Sequence, residues 1–235
     1  MYTAIKIKDN EEVRYMSFVM TYLAVAKEVN DKIGIARDLP SYFLGTISPD
    51  CVHVRSDYNS DMKKYSHFYL GHQQWGSITN NEEWRNHILK HIKSYKAQQD
   101  KEFYMGYFIH ILTDISNNEK IWIPFKKNCG NENIPIQNSW RLFYVDNKQI
   151  DIMLFNQSQW KNEIWQLLSK ASGKTICDKI QAYESEKYRD IVLDDFRTRS
   201  ESILNNHHAY ITIEDNREFT KTTVDEITNL LGNHS

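Results

Sequence analysis

Apolar residues return at helical spacing in three well-separated stretches of this chain, and that period constrains its fold more than any other feature. Trp160, Ile164, Leu167, Leu168 and Ala171 follow a 4-3-1-3 spacing that lines one helix face, with Asn156 or Ser158 as the N-terminal signal. Val19, Leu23, Ala26 and Val29 repeat the pattern, as do Phe103, Tyr107, His110 and Ile111. Helix breakers are scarce enough to let such periods run, with 8 Gly and 4 Pro in 235 residues. The sequence predicts an all-α fold. Further helices are expected near 81–99, 175–182, 185–204 and 222–231, with polar loops near 34–66, 116–136 and 205–216. Residues 1–15 carry Lys6, Lys8, Asp9, Glu11 and Glu12 and bury little, so they read as an extension to a single helical domain over 16–235. Trp160 and Trp165 are expected as core anchors beside Tyr144 and Phe155.

Composition narrows the function. The 29 basic and 31 acidic side chains give a formal charge of −2, which argues against a chain that holds nucleic acid as a stable partner. The longest apolar stretch, Tyr15 to Ala26, is shorter than the roughly 20 residues a membrane span needs, so no transmembrane segment is expected. Ala24-Val25-Ala26 has the look of a leader cleavage site, but Asp9, Glu11 and Glu12 precede it where a secretory leader is basic. Cys51, Cys129 and Cys177 are odd in number and form no CxxC pair. They predict free thiols in a reducing compartment, and hence a cytoplasmic protein. No phosphate loop, GxSxG elbow or cysteine-protease context is present.

One constellation remains. His110 and Asp114 stand four apart on a face shared with Phe103 and Tyr107, where a titratable pair must be satisfied either by a divalent metal or by a hydrogen bond between the two. Asp50 and His67 are the obvious further donors, and His53 a weaker one. In the segment Leu44-Gly45-Thr46-Ile47-Ser48-Pro49-Asp50, Gly45 allows a close turn. Ser48 is pushed out of helical geometry by Pro49, leaving Asp50 either to project from irregular backbone or to cap the next helix. The length of the connection around it suggests a functional loop or one with small helices of its own. His87 and His91 are also four apart, in a helix rich in Asn, Lys and Gln, and read as a solvated surface pair. His207, His208 and His234 read as surface residues.

The order of three pieces resembles a known family. Tyr42-Phe43-Leu44-Gly45-Thr46-Ile47-Ser48-Pro49-Asp50, then Lys64-Tyr65-Ser66-His67-Phe68, then Gly106-Tyr107-Phe108-Ile109-His110-Ile111-Leu112-Thr113-Asp114 looks like the zinc-dependent phospholipase C-like hydrolases of Gram-positive bacteria. These share a helical fold with bacterial phospholipase C and fungal single-strand nucleases. The similarity covers most of residues 16 to 200. It implies an all-α multi-helix domain of the phospholipase C type. It also implies zinc ligands at Asp50, His67, His110 and Asp114, with Asp50 additionally orienting a metal-activated water that attacks phosphorus. The implied substrate is a small phosphoester or a phospholipid-like molecule.

This chain departs from the family in one respect that bears on activity. Where relatives carry an early histidine, Met20-Thr21-Tyr22-Leu23 offers Thr21 or Tyr22, and the later HxxxE region offers only carboxylates, Glu119, Asp146 or Asp151. Thr21, Tyr22, His53, Asp146 and Asp151 are therefore the expected pocket residues, around one or two zinc ions rather than three. The alternative is a degenerate member that keeps the fold as a metal-binding or interaction protein.

Overall fold

The computed structural model describes residues 18–95, 98–199 and 209–232. The extension at 1–15 and the histidines at 207, 208 and 234 lie outside those residues. Ten α-helices run in chain order among them: α1 Val19–Ile33, α2 Leu39–Ile47, α3 Ser60–Ser66, α4 Asn81–Tyr95, α5 Lys101–Asn117, α6 Ile123–Asn131, α7 Ile136–Gln157, α8 Lys161–Lys170, α9 Ala182–Arg199 and α10 Ile213–Gly232. A 3-10 helix over Ser48–Val54 follows α2, and a π turn over Asn118–Trp122 joins α5 to α6. No strand occurs among the described residues, so the fold is all-α.

Helix α5 is the axis of the molecule. Phe103, Tyr107, Phe108, Ile109, Ile111, Leu112 and Ile115 are all buried, and a helix apolar on every side has to be wrapped by others. Its closest neighbour is α2, and two glycines explain the approach. A Cβ at Gly45 would stand 2.0 Å from the Phe103 carbonyl oxygen, and one at Gly106 would stand 2.0 Å from the Tyr42 carbonyl oxygen. Each helix thus presses its backbone against the other's glycine. Gly45 therefore serves a close helix crossing in mid-helix and not the turn expected of it. Each large ring buried in this contact contributes about 1.5–3 kcal/mol by leaving water, and the two glycines decide where those rings come to rest.

The helix ends follow local chemistry. Gly34 closes α1 at φ 60°, donating its N–H to the Asn30 carbonyl at 2.8 Å. Asp38 opens α2 by accepting from the Ser41 N–H, with Pro40 in the first turn. The N-terminus of α1 is capped from a distance, since Asp151 on α7 accepts from the N–H groups of Val19 at 3.1 Å and Met20 at 3.0 Å.

Several expected boundaries are corrected. The 34–66 connection carries α2, the 3-10 helix and α3. Its first helix is buried on nearly every side, so it shows no polar face for a period to reveal. Ser48 is helical at φ −73°, ψ −25°, because its hydroxyl returns a hydrogen bond to the Leu44 carbonyl at 2.6 Å and carries the turn past Pro49. The 116–136 segment is mostly helical, and its buried Trp122, Phe125 and Cys129 stand at helical spacing among polar neighbours. The 205–216 loop ends earlier than expected, at Ile213. Residues 175–182 are not a helix. Ile176 and Ile180 are buried four apart, but they face each other across an isolated antiparallel bridge around Cys177 at φ 41°. Helix α8 opens at Trp160, while Ser158 ends α7. Trp160 and Trp165 are half-buried, packed at the rim of the main core, where the Trp165 ring lies 4.9 Å from that of Phe155.

Candidate metal centre

Three structural elements meet behind a small cavity. The 3-10 helix carries Asp50, the C-terminal end of α3 delivers His67, and α5 supplies His110 and Asp114 one turn apart. Donor atoms of Asp50, His67 and His110 all lie within 4.8 Å of one another. The Nε2 atoms of His67 and His110 are 3.3 Å apart, and Asp114 Oδ2 lies 3.3 Å from the first and 3.8 Å from the second. Asp50 approaches His67 Nε2 at 3.6 Å and His110 Nε2 at 3.9 Å. Ligands at 2.0–2.2 Å around a tetrahedral ion stand about 3.3–3.6 Å apart, so these spacings suit a small divalent cation.

The proton inventory points the same way. His67 Nδ1 faces the Lys63 carbonyl at 2.8 Å, and His110 Nδ1 faces the Thr46 carbonyl at 2.8 Å. A carbonyl only accepts, so each Nδ1 carries the hydrogen and each Nε2 turns a lone pair inward. Two such lone pairs and two carboxylates then converge. Acceptors facing acceptors repel one another unless a cation or proton lies between them. Burial pushes the His110 imidazole down to about 4 against the pull of Asp114 and Asp50, so the ring is neutral at neutral pH.

Fixed charges hold the carboxylates ionised. Burial opposes charge on Asp50, but the Lys63 ammonium at 2.9 Å, with His53 beside it, keeps its carboxyl well below the usual range. Burial likewise opposes charge on Asp114, which the Lys63 ammonium and the hydrogen bond from the Tyr22 hydroxyl favour. Lys63 stays protonated because Asp50 and Asp114 outweigh its desolvation.

The backbone around His67 is clamped. Phe68 takes φ 54°, a strained value for an aromatic residue, and three hydrogen bonds hold its neighbours in place. Trp84 donates its indole N–H to the His67 carbonyl at 2.9 Å, Tyr107 its hydroxyl to the Ser66 carbonyl at 2.7 Å, and Ser66 its hydroxyl to the Pro49 carbonyl at 2.8 Å.

Of the expected pocket residues, Tyr22 and His53 reach the site. Tyr22 stacks on the His110 ring with centroids 3.7 Å apart and donates its hydroxyl to Asp114 Oδ1. Burial, then Asp114 and Asp50, raise its phenol well above the usual value, so it is a neutral donor. His53 lies 3.7 Å from Asp50 and against the Tyr58 ring. Thr21 faces away, accepting from Asn216 at 3.0 Å. Asp146 and Asp151 are corrected to structural roles. Asp146 accepts from the N–H groups of Tyr210 and Ile211 at 2.8 and 3.0 Å, ahead of α10, and Asp151 caps α1. Glu119 pairs with Arg85. A carboxylate that satisfies two backbone donors cannot be told from a ligand by sequence alone.

Lys63 is the site residue that the sequence reading passed over. Its signal was the spacing to His67, four residues on, which puts the ammonium and the imidazole on one face of α3. Asp50, Asp114, Tyr22 and Lys63 line a cavity of about 70 Å³, with Trp75 and Trp122 among its aromatic walls. His67 and His110 lie behind the carboxylates, fully buried.

The remaining paired histidines are also corrected. His87 and His91 are half-buried, with Nε2 atoms 3.0 Å apart, and His91 packs edge-on against Phe68 with centroids at 4.6 Å. Among the described residues no helix is long and apolar enough to cross a membrane. Comparison of the chain with protein-family models, with curated proteins and with solved structures finds no match.

Proposed function

We propose that this chain is a metal-dependent hydrolase of phosphoric esters, on a fold of the zinc-dependent phospholipase C type. The observation that carries the reading is the pair of imidazole Nε2 lone pairs facing Asp50 and Asp114, each ring fixed by a backbone carbonyl at its other nitrogen. Mixed imidazole and carboxylate donors favour zinc among the available divalent ions. Such an ion, held by His67, His110, Asp114 and Asp50, would supply Lewis acidity toward a phosphoryl oxygen and acidify water.

The chain's own residues do the rest. Asp50 is ionised and borders the cavity, so it can accept a hydrogen bond from a water placed there and orient its lone pair toward phosphorus. Tyr22 fixes Asp114 through its hydroxyl and braces His110 through its ring.

A second reading has its own observation. Tyr22 holds Asp114 and Lys63 holds Asp50, so both carboxylates already have partners, as in a relative that keeps the fold without turnover. Metal analysis of the purified protein, followed by a panel of chromogenic phosphodiesters and phosphomonoesters, separates the two. Bound zinc with turnover that chelation abolishes is the expected result. Bound zinc without turnover would favour the second reading, and no affinity for zinc would overturn the first.

A further inference from the structure

Lys63 brings a permanent positive charge to Asp50, one of the carboxylates of the candidate metal centre. Its Nζ lies 2.9 Å from Asp50 Oδ1 and 4.7 Å from the centre of the Trp75 ring, and its side chain is 15% exposed. The backbone carbonyl of the same residue accepts from His67 Nδ1 at 2.8 Å. One residue therefore orients an imidazole donor with its main chain and neutralises a carboxylate with its side chain. A second divalent ion on Asp50 Oδ1 would sit about 2.0–2.2 Å from that oxygen. The ammonium bound to the same oxygen would then be no more than about 5 Å away, and like charges held by two largely buried side chains repel one another.

We propose that the site is built for one divalent cation, and that the Lys63 ammonium fills the second cationic position, binding a non-bridging oxygen of the anionic phosphoryl group that enters the cavity. This rests on the proposed function above. The charges are consistent with it. Two carboxylates and one ammonium sum to minus one, and a single divalent ion turns that to plus one, which attracts a phosphate ester. A lysine serves here as a point charge for phosphate, without the bidentate geometry of arginine. Trp75 beneath the ammonium keeps it directed into the cavity, since a cation over an indole face is attracted to it.

The test measures binding as well as turnover. Metal-free protein is titrated with zinc, and the zinc-loaded protein is titrated with inorganic phosphate, for the natural chain, Lys63→Met and Lys63→Arg. Methionine keeps the packing over Trp75 and the backbone carbonyl while removing the charge. The natural chain should take one equivalent of zinc, and Lys63→Met should retain that equivalent. Phosphate affinity should fall at least tenfold in Lys63→Met and be largely restored in Lys63→Arg, with the KM for a phosphoester rising in parallel. Two equivalents of zinc in the natural chain, or phosphate affinity within twofold in Lys63→Met, would overturn the role of Lys63 while leaving metal-dependent hydrolysis standing. Zinc taken up by neither protein, or by Lys63→Met alone, would overturn the proposed function together with this inference.

Discussion

Among the described residues two pairs of histidines bring their Nε2 atoms to within 3.3 Å, and only one of them belongs to a candidate metal centre. His67 and His110 come from different helices, are fully buried, and have Asp50 and Asp114 within 4 Å. His87 and His91 come from adjacent turns of α4 and are half-buried. Burial lowers both rings, helped by Lys90 and Lys179 at His87 and by His87 and Lys179 at His91. The difference lies in what surrounds the nitrogens. Carboxylates make the first pair attractive to a cation, whereas ammonium groups make the second pair repel one. Carbonyl anchors at both Nδ1 atoms also fix the tautomers of the first pair. Close approach of two imidazoles is thus a weak sign by itself, and the charge around them decides.

The sharpest way to break this contrast is to remove one ring from each pair. His110→Ala should lower zinc affinity by more than about 100-fold, since losing a ligand costs at least as much as losing a residue that supports one. His91→Ala should leave it within twofold. Titration calorimetry with zinc reads both, and equal losses would end the distinction.

The next largest effect concerns how the first pair is held. Gly106→Ala places a methyl group against the Tyr42 carbonyl with no flexible side chain to yield, so α2 and α5 must separate. A loss of about 3 kcal/mol or more in urea unfolding is expected. Zinc affinity should fall as well, because the Thr46 carbonyl moves away from His110 Nδ1. Asn86→Ala, on the exposed face of α4, should change stability by less than about 0.5 kcal/mol.

Acid should reveal the buried ring. His110 is lowered from 6.5 to about 4, so the stability it contributes is complete above pH 6.5 and is lost as the pH falls through 4, roughly 3 kcal/mol in metal-free protein. Asp151 acts with the opposite sign. Burial raises its carboxyl to about 7 against the pull of the backbone N–H groups, so its contribution is complete below 3.8 and is lost as the pH rises through 7. The two act in opposite directions between pH 4 and 6.5. Stability should therefore rise with pH more steeply in Asp151→Asn than in the natural chain over that range, and urea unfolding at its two ends checks it. A flat profile in that variant would show that His110 takes up its proton as readily folded as unfolded.

The smallest expected effect is a gain. Tyr22→His places an imidazole where a phenol now stacks on His110, and should raise zinc affinity about tenfold by adding a donor. A fall in affinity would show that the hydroxyl bond to Asp114 matters more than another ligand.

Much of this was legible in the residue pattern. The stripes of α1, α5 and α8 follow from spacing alone, because an amphipathic helix in water has to turn its apolar face inward wherever it packs. His110 and Asp114 share a face for the same geometric reason. Asp50, His67, His110 and Asp114, singled out by residue type and position, are side chains that the fold brings together. Asp146 and Asp151 show the limit. Each is a buried carboxylate on a helix, and only the neighbouring backbone, Tyr210 and Ile211 for one and Val19 and Met20 for the other, makes it a cap rather than a ligand.

Local periodicity thus fixed the buried faces of α1, α5 and α8, which depend on residues a few positions apart, but not α2, α3 or α6. Tertiary structure decided what each polar group inside those faces touches. The Gly45 and Gly106 contact brings the Thr46 carbonyl to His110, the turn at Phe68 aims His67 inward, and α3 delivers the Lys63 ammonium to Asp50. Charge and tautomer depend on atoms 3 to 4 Å away in space, and those neighbours lie tens of residues apart along the chain.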